Sequence, residues 1–147
     1  MDTTRIPPDF KEFLRLLIAH EVRFLLVGGY AVNAFGHSRN TADIDIWIAT
    51  SQDNEERVIE AVREFGFPSA TLALLEEPDA MLRMGVPPLR IEVLKKVSGL
   101  DFEDCWPRRV SLETGDLTIP MISRDDLKTN KRAAGRPKDL LDLAELS

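Results

Sequence analysis

One cysteine, Cys105, in 147 residues excludes an internal disulfide, and a reducing cytoplasmic home is the expectation. The two histidines, His20 and His37, make neither a zinc set nor a nucleophilic triad with it. No apolar run approaches the length that spans a membrane, so no membrane partner is expected. The N-terminus Met1-Asp2-Thr3-Thr4-Arg5 lacks the basic-then-apolar order of a secretory leader. A formal net charge of −6 lacks the basic excess that neutralises phosphates along a nucleic acid, which argues against an extensive nucleic-acid surface. Internal repeats, low-complexity stretches and interdomain linkers are missing too, and 44% hydrophobic residues suit a soluble globular protein. Residues 1–147 are therefore expected to fold as one domain that buries roughly two-thirds of its unfolded surface.

What is present centres on two stretches. Phe24 to Val27 is a short apolar run that ends in Gly28-Gly29 and precedes a small-residue helical segment, Tyr30 to Phe35. Glycines at such a strand-to-helix turn let backbone amides approach a phosphate closely, although most Gly-Gly pairs are simply turns. Thirteen residues separate Gly29 from Asp43-Ile44-Asp45-Ile46-Trp47-Ile48. Side chains alternate across a strand, so the isoleucines share one face and Asp43, Asp45 and Trp47 the other. Adjacent carboxylates repel, and a hard divalent cation such as Mg²⁺ is the natural neutraliser. An exposed sheet face with two acids is the plainer alternative, and the nearby Gly-Gly is what favours the cation.

A third acid fits the pattern. In Leu89-Arg90-Ile91-Glu92-Val93-Leu94, alternation sets Glu92 apart from Leu89, Ile91 and Val93. Beside the strand of Asp43 and Asp45 it would complete a three-carboxylate site. Taken alone it reads equally well as a surface glutamate paired with a base. Basic residues concentrate between Arg124 and Lys138, where a solvated helix face competes with a phosphate-contacting role for Lys131 and Lys128.

Periodicity supplies the remaining elements. Phe10, Phe13, Leu14, Leu17 and Ile18 mark a first helix over Pro8 to Glu21 with Asp9 as its cap. A strand is expected over Arg23 to Val27 and another over Asp43 to Ala49. Ser51 opens a helix, Asn54 to Phe65, with Val58, Ile59, Val62 and Phe65 as its buried stripe. Ala80 to Met84 and Leu89 to Lys95 read as a hairpin, as do Val110 to Glu113 and Leu117 to Pro120 around Thr114-Gly115-Asp116. Asp101 to Arg108 is loop or short helix, with Trp106 packing rather than stacking on a base. Ser123 and Asp126 form a capping box for a helix to about Ala134. Gly135 breaks it, and Pro137 starts a last helix whose Leu140, Leu141, Leu143 and Leu146 are expected to be buried. The fold class is α/β: a mixed, mostly antiparallel sheet flanked by helices, with a small C-terminal helical pair.

Together the apolar run, Gly28-Gly29, the spacing, Asp43-Ile44-Asp45 and Glu92 resemble the nucleotidyltransferase superfamily with the DNA polymerase β-like catalytic fold. Gly28-Gly29-Tyr30-Ala31 with Gly36, Arg39 and Thr41 looks like the bacterial AbiEii-type branch. The tail from Ile119 to Ser123, on to Lys131, Arg136, Lys138-Asp139 and Asp142, resembles that branch and small lincosamide nucleotidyltransferases. The resemblance implies that Asp43 and Asp45 hold Mg²⁺ (or Mn²⁺) against an NTP triphosphate, with Gly28 and Gly29 under the phosphates. It implies that Glu92 binds metal and acts as general base on the acceptor hydroxyl, and that Tyr30, Arg39 and Thr41 belong to the nucleotide site. Two positions depart from the pattern: Gly29 stands where many members have serine, and Glu92 where aspartate is usual.

The expected activity is Mg²⁺-dependent transfer of a nucleoside monophosphate from an NTP to a hydroxyl of RNA, protein or a small molecule. By its AbiEii likeness the setting is a toxin-antitoxin or phage-defence system, with a cognate toxin or antitoxin as a partner. The alternative is a catalytically degenerate interaction module of the same fold. A chain this small could also complete its acceptor cleft as a homodimer.

Overall fold

The computed structural model describes residues 6–36, 43–86 and 89–146. Its centre is a six-stranded mixed sheet of β1 (Phe24–Val27), β2 (Asp43–Ile48), β3 (Met81–Val86), β4 (Leu89–Leu94), β5 (Val110–Thr114) and β6 (Leu117–Met121), in the order β3-β4-β2-β1-β6-β5. The β1/β2, β3/β4 and β5/β6 pairs run antiparallel, whereas β2/β4 and β1/β6 run parallel. Helices α1 (Pro8–Ala19), α2 (Gly28–Ala34), α3 (Gln52–Phe65), α4 (Phe102–Cys105), α5 (Arg124–Ala134) and α6 (Pro137–Leu146) flank it. The mixed, mostly antiparallel sheet with a C-terminal helical pair agrees with the expected class. Among the described residues, no helix is long and apolar enough to cross a membrane.

Alternation along β2 sets the layout. Ile44, Ile46 and Ile48 are fully buried and join the α1 stripe of Phe10, Phe13, Leu14 and Leu17 and the α3 stripe of Val58, Ile59 and Val62 in one core. Burying each such side chain contributes about 1.5–3 kcal/mol. Phe13 meets Phe65 edge to face at 5.1 Å, which ties α1 to α3. On the opposite face of β2, Trp47 is also buried, with its ring edge-on to Phe102 at 5.2 Å. The Asp43 and Asp45 end of that face stays partly open.

Local chemistry explains most boundaries. Ser51 caps α3 by accepting from the Asn54 N–H at 3.3 Å. Asn54, nearly fully buried, accepts from the Arg23 N–H and donates to the carbonyls of Arg23 and Ala49 at 2.7, 3.0 and 2.9 Å. That one amide joins the start of α3 to the entry of β1 and the exit of β2. Ser123 likewise accepts from the Asp126 N–H at 3.1 Å, while the Asp126 carboxylate turns to Arg108. The capping box is thus only half made. Helix α1 differs from expectation as well: its N-cap is Pro7, without a side-chain cap bond, and Asp9 lies in the first turn, where its charge favours the positive end of the helix. Trp106 packs, as expected, stacked on Phe102 at 5.6 Å.

The largest departure is α6. Leu146 is buried, but Leu140 and Leu141 are 51% and 70% exposed, while Asp139 and Asp142 point inward. Hydrophobic periodicity misreads this helix because charged partners, not apolar surface, decide which side faces the protein.

Candidate active site

Strand register assembles the carboxylates. Asp45 lies across from Val27 of β1 on one side and from Glu92 of β4 on the other, so Asp43, Asp45 and Glu92 share a face of the sheet. Two arginines join them from the same rows. Arg90 stands opposite Asp43 and donates to its Oδ2 at 3.0 Å. Arg83 stands opposite Glu92 and donates to its Oε2 at 2.6 Å. Arg90 also carries a buried Nε that no acceptor meets among the described residues.

Asp45 is the crowded member. Burial, then a hydrogen bond and charge from Glu92, then the charge of Asp43 push its carboxyl up to about 7, with Lys131 pulling the other way. A proton shared with Glu92 is what two close carboxylates adopt when no cation sits between them. Gly28 closes the same space. Its φ is +72°, and a Cβ there would lie 2.2 Å from Asp45 Oδ2. Glycine is therefore required twice at this position, by backbone conformation and by the approach of the carboxylate. Gly28 and Gly29 form the first turn of α2 itself, rather than a turn ahead of a helix starting at Tyr30.

Helices α5 and α6 build the facing wall. Lys131, only 7% exposed, donates to Asp142 Oδ2 at 3.0 Å and to Asp139 Oδ1 at 3.4 Å. Arg136 grips Asp139 through Nε at 2.6 Å and a second guanidinium nitrogen at 3.2 Å. Burial alone would raise the Asp139 carboxyl, but Arg136 and Lys131 hold it below the usual carboxylate range. Between wall and sheet lies a cleft of about 630 Å³ lined by Gly28, Gly29, Asp43, Asp45, Glu92 and Lys131, among others. A second cavity of about 690 Å³ adjoins it. The two share Met81, Leu94, Lys96, Val97 and Ser98, and the second also has Asp79, Asp101 and Asp104 in its lining.

Of the residues singled out from sequence, Asp43, Asp45, Glu92, Gly28, Gly29 and Lys131 meet in this cleft. Tyr30 does not line it: the ring is buried against Phe10, centroids 5.9 Å apart. Lys128 is half-buried on α5 and does not line the cleft, to which that helix contributes Asn130, Lys131 and Ala134. Arg39 and Thr41 lie outside the described residues, as does His37. Arg83, Arg90, Arg136, Asp139 and Asp142 had no assigned role. Strand alternation gave a signal for Arg90, and the spacing of Arg136 and Asp139 gave one for that pair.

Among the described residues, no three Asp, Glu, His or Cys side chains are arranged as a ready metal cage, since Asp43 and Glu92 turn toward arginines. The donor set nevertheless fits a hard divalent cation: all three groups are carboxylates, and Asp45 carries a surplus of negative neighbours.

The family described as Aminoglycoside-2''-adenylyltransferase matches residues 9–146. The crystal structure of lincosamide antibiotic adenylyltransferase LnuA with lincomycin bound is similar at a TM-score of 0.59 and 15% identity, covering 97% of each chain. A Thermotoga maritima protein provisionally named a nucleotidyltransferase is similar at a TM-score of 0.57 and 17% identity, over 96% of this chain and 94% of that one. An antigenic nucleotidyltransferase-like protein from Paracoccidioides brasiliensis is similar at a TM-score of 0.51 and 15% identity, over 90% of this chain and 71% of that one. At these identities the likeness is one of fold. No curated protein matches the chain.

Proposed function

The chain belongs to the aminoglycoside-2''-adenylyltransferase family, and with it to the nucleotidyltransferase superfamily; from that premise we propose that it moves a nucleoside monophosphate from an NTP to a hydroxyl of a small acceptor, releasing pyrophosphate. Asp43, Asp45 and Glu92 are the residues to hold Mg²⁺. Held there, the ion would supply positive charge to offset that of the triphosphate as it reacts. Gly28, having no side chain, lets the Asp45 carboxylate lie against the start of α2, where the polyphosphate would sit. Lys131 and Arg136 face it from the other wall.

The transfer needs one proton removed. Glu92 takes it from the acceptor hydroxyl, whose oxygen bonds to the α-phosphorus as the bond from that phosphorus to the bridging oxygen breaks. Arg83, whose side chain is 57% exposed, is free to swing away from Glu92 as the acceptor arrives. The adjoining cavity is the acceptor's place. Its apolar Met81, Leu94 and Val97 and its acidic Asp79, Asp101 and Asp104 suit a small, cationic, hydroxyl-bearing molecule, in keeping with the family's description.

The observation that carries this reading is Asp45, half-buried against Gly28 and in register with Glu92, in a cleft whose far wall is cationic. The test is calorimetric titration of ATP, GTP, CTP and UTP with and without Mg²⁺ into wild type and the Asp43→Ala/Asp45→Ala variant, followed by pyrophosphate release with amino-sugar acceptors. Metal-dependent binding lost in the variant supports the reading. Binding of none of the four, or undiminished binding by the variant, overturns it. The ion pairs that occupy Asp43 and Glu92 favour a second reading, an interaction module that has lost turnover, in which a toxin or antitoxin partner takes the place of the acceptor. Pyrophosphate release would exclude it.

A further inference from the structure

Helix α6 is turned the wrong way for hydrophobic burial. It leaves Leu140 and Leu141 in solvent and puts Asp139, 0% exposed, and Asp142, 4% exposed, against α5. Buried ion pairs contribute little net stability compared with apolar residues of the same volume, because desolvation offsets the attraction. Apolar packing therefore gives no reason for this orientation. The buried charge of Lys131 does, and that charge faces the cleft. Lys131, paired with both carboxylates, lines the cleft and its charge is felt at Asp45. A lysine ammonium on its four-carbon stem otherwise samples many rotamers, and holding it beforehand removes that entropy loss from ligand binding. Gly135, at φ +65°, ends α5 with its N–H bonded to the Lys131 carbonyl at 3.0 Å, and the chain turns there to bring Asp139 back onto Lys131. Arg136, on that turn, is held in the same cleft by Asp139.

Resting on the nucleotidyltransferase reading above, we infer that Asp139 and Asp142 are positioning residues, which hold Lys131 as a fixed cation for the polyphosphate chain of the NTP, Asp139 doing the same for Arg136. Two effects compete when one of these carboxylates is neutralised. Loss of a nearby anion alone would strengthen phosphate binding, while release of Lys131 would weaken it. Fixed geometry dominates, because the ammonium is buried and its angular freedom is what the carboxylates remove. The base of the nucleotide plays no part in this, so inorganic tripolyphosphate serves as the probe.

The test is a double-mutant cycle read by calorimetry, with tripolyphosphate and Mg²⁺ titrated into wild type, Asp142→Asn, Lys131→Met and the double variant, melting temperatures being recorded for each. Asp142→Asn is expected to weaken binding about tenfold in the wild-type background and to have no further effect once Lys131 is Met. Unchanged or tighter binding by Asp142→Asn, or an equal loss in both backgrounds, overturns the positioning role while leaving the nucleotide site intact. Wild type that binds neither tripolyphosphate nor any NTP overturns instead the functional reading on which the inference rests. Should a variant fail to fold, the ¹⁵N resonance of the Lys131 ammonium in wild type decides. A signal protected from exchange before ligand and shifted by tripolyphosphate supports the inference, and an exchange-broadened or unresponsive one overturns it.

Discussion

In α3, of the residues at helical spacing that hydrophobicity assigns to the interior, Val58, Ile59 and Val62 are at most 2% exposed and Phe65 is half-buried. In α6, the same reasoning assigns Leu140 and Leu141 to the interior, and they are the two most exposed large apolar side chains among the described residues. Both helices are amphipathic, and both pack on the same small protein. The difference lies in what each one covers. Helix α3 meets α1 and the isoleucine face, where burial of its apolar stripe sets the rotation, with Asn54 and Glu55 paired at the edge of that stripe. Helix α6 meets Lys131, a buried cation that would be costly without a carboxylate beside it. A buried charge thus outweighs two leucines in deciding a helix's rotation, and it does so next to the cleft.

The largest effect is expected in the cleft: Asp45→Asn should lower nucleotidyl transfer by about 10³-fold, the scale of losing a principal electrostatic group, without lowering the melting temperature. A variant that lost stability instead would make Asp45 a structural residue. Next, Asp139→Ala should destabilise by about 3 kcal/mol in urea unfolding, because it strips Lys131 and Arg136 of a buried partner. A change below about 0.5 kcal/mol would mean that α6 is not held by its charges. Ile59→Ala should cost about 2–3 kcal/mol through the cavity it leaves in the α3 stripe, whereas Leu141→Ser should stay within about 0.5 kcal/mol. Equal losses at Ile59 and Leu141 would erase the contrast between the two helices.

A separate effect is in pH. In metal-free protein the Asp45 carboxyl titrates at about 7, above its ordinary 3.8, so the folded state holds that proton more tightly than the unfolded chain. Its stabilising contribution is present in acid and is lost as the pH rises from about 4 to about 7. The melting temperature should fall gently over that window and level off above it, and Asp45→Asn should flatten the profile. Asp126 and Asp139, held below the usual range despite their burial by Arg108 and Arg136, act oppositely and only in stronger acid. A profile that rises through neutrality would contradict the shared proton at Asp45.

Much of the fold was legible in the chain because local rules carried it. Alternation in Asp43 to Ile48 set its faces, Ser51 and Ser123 announced two helix starts, and Gly115 and Gly135 marked a hairpin and a helix end. The same rules misplaced Asp9 as a cap and saw two glycines as a turn where α2 begins, errors of a residue or two at helix ends. Tyr30 escaped a local reading entirely, since its burial depends on Phe10, which lies on a different helix.

By itself, then, the sequence determined which residues could form a carboxylate face and where glycine would let something approach it, because alternation and backbone freedom belong to short stretches. Only the tertiary structure decided that Glu92 stands beside Asp45, that Arg83 and Arg90 occupy two of the carboxylates, and that Asp139 and Asp142 turn inward around Lys131. Those are pairings between residues far apart in the chain or on different elements. They are fixed by strand register and by the need of a buried charge for its counter-charge, which no local pattern encodes.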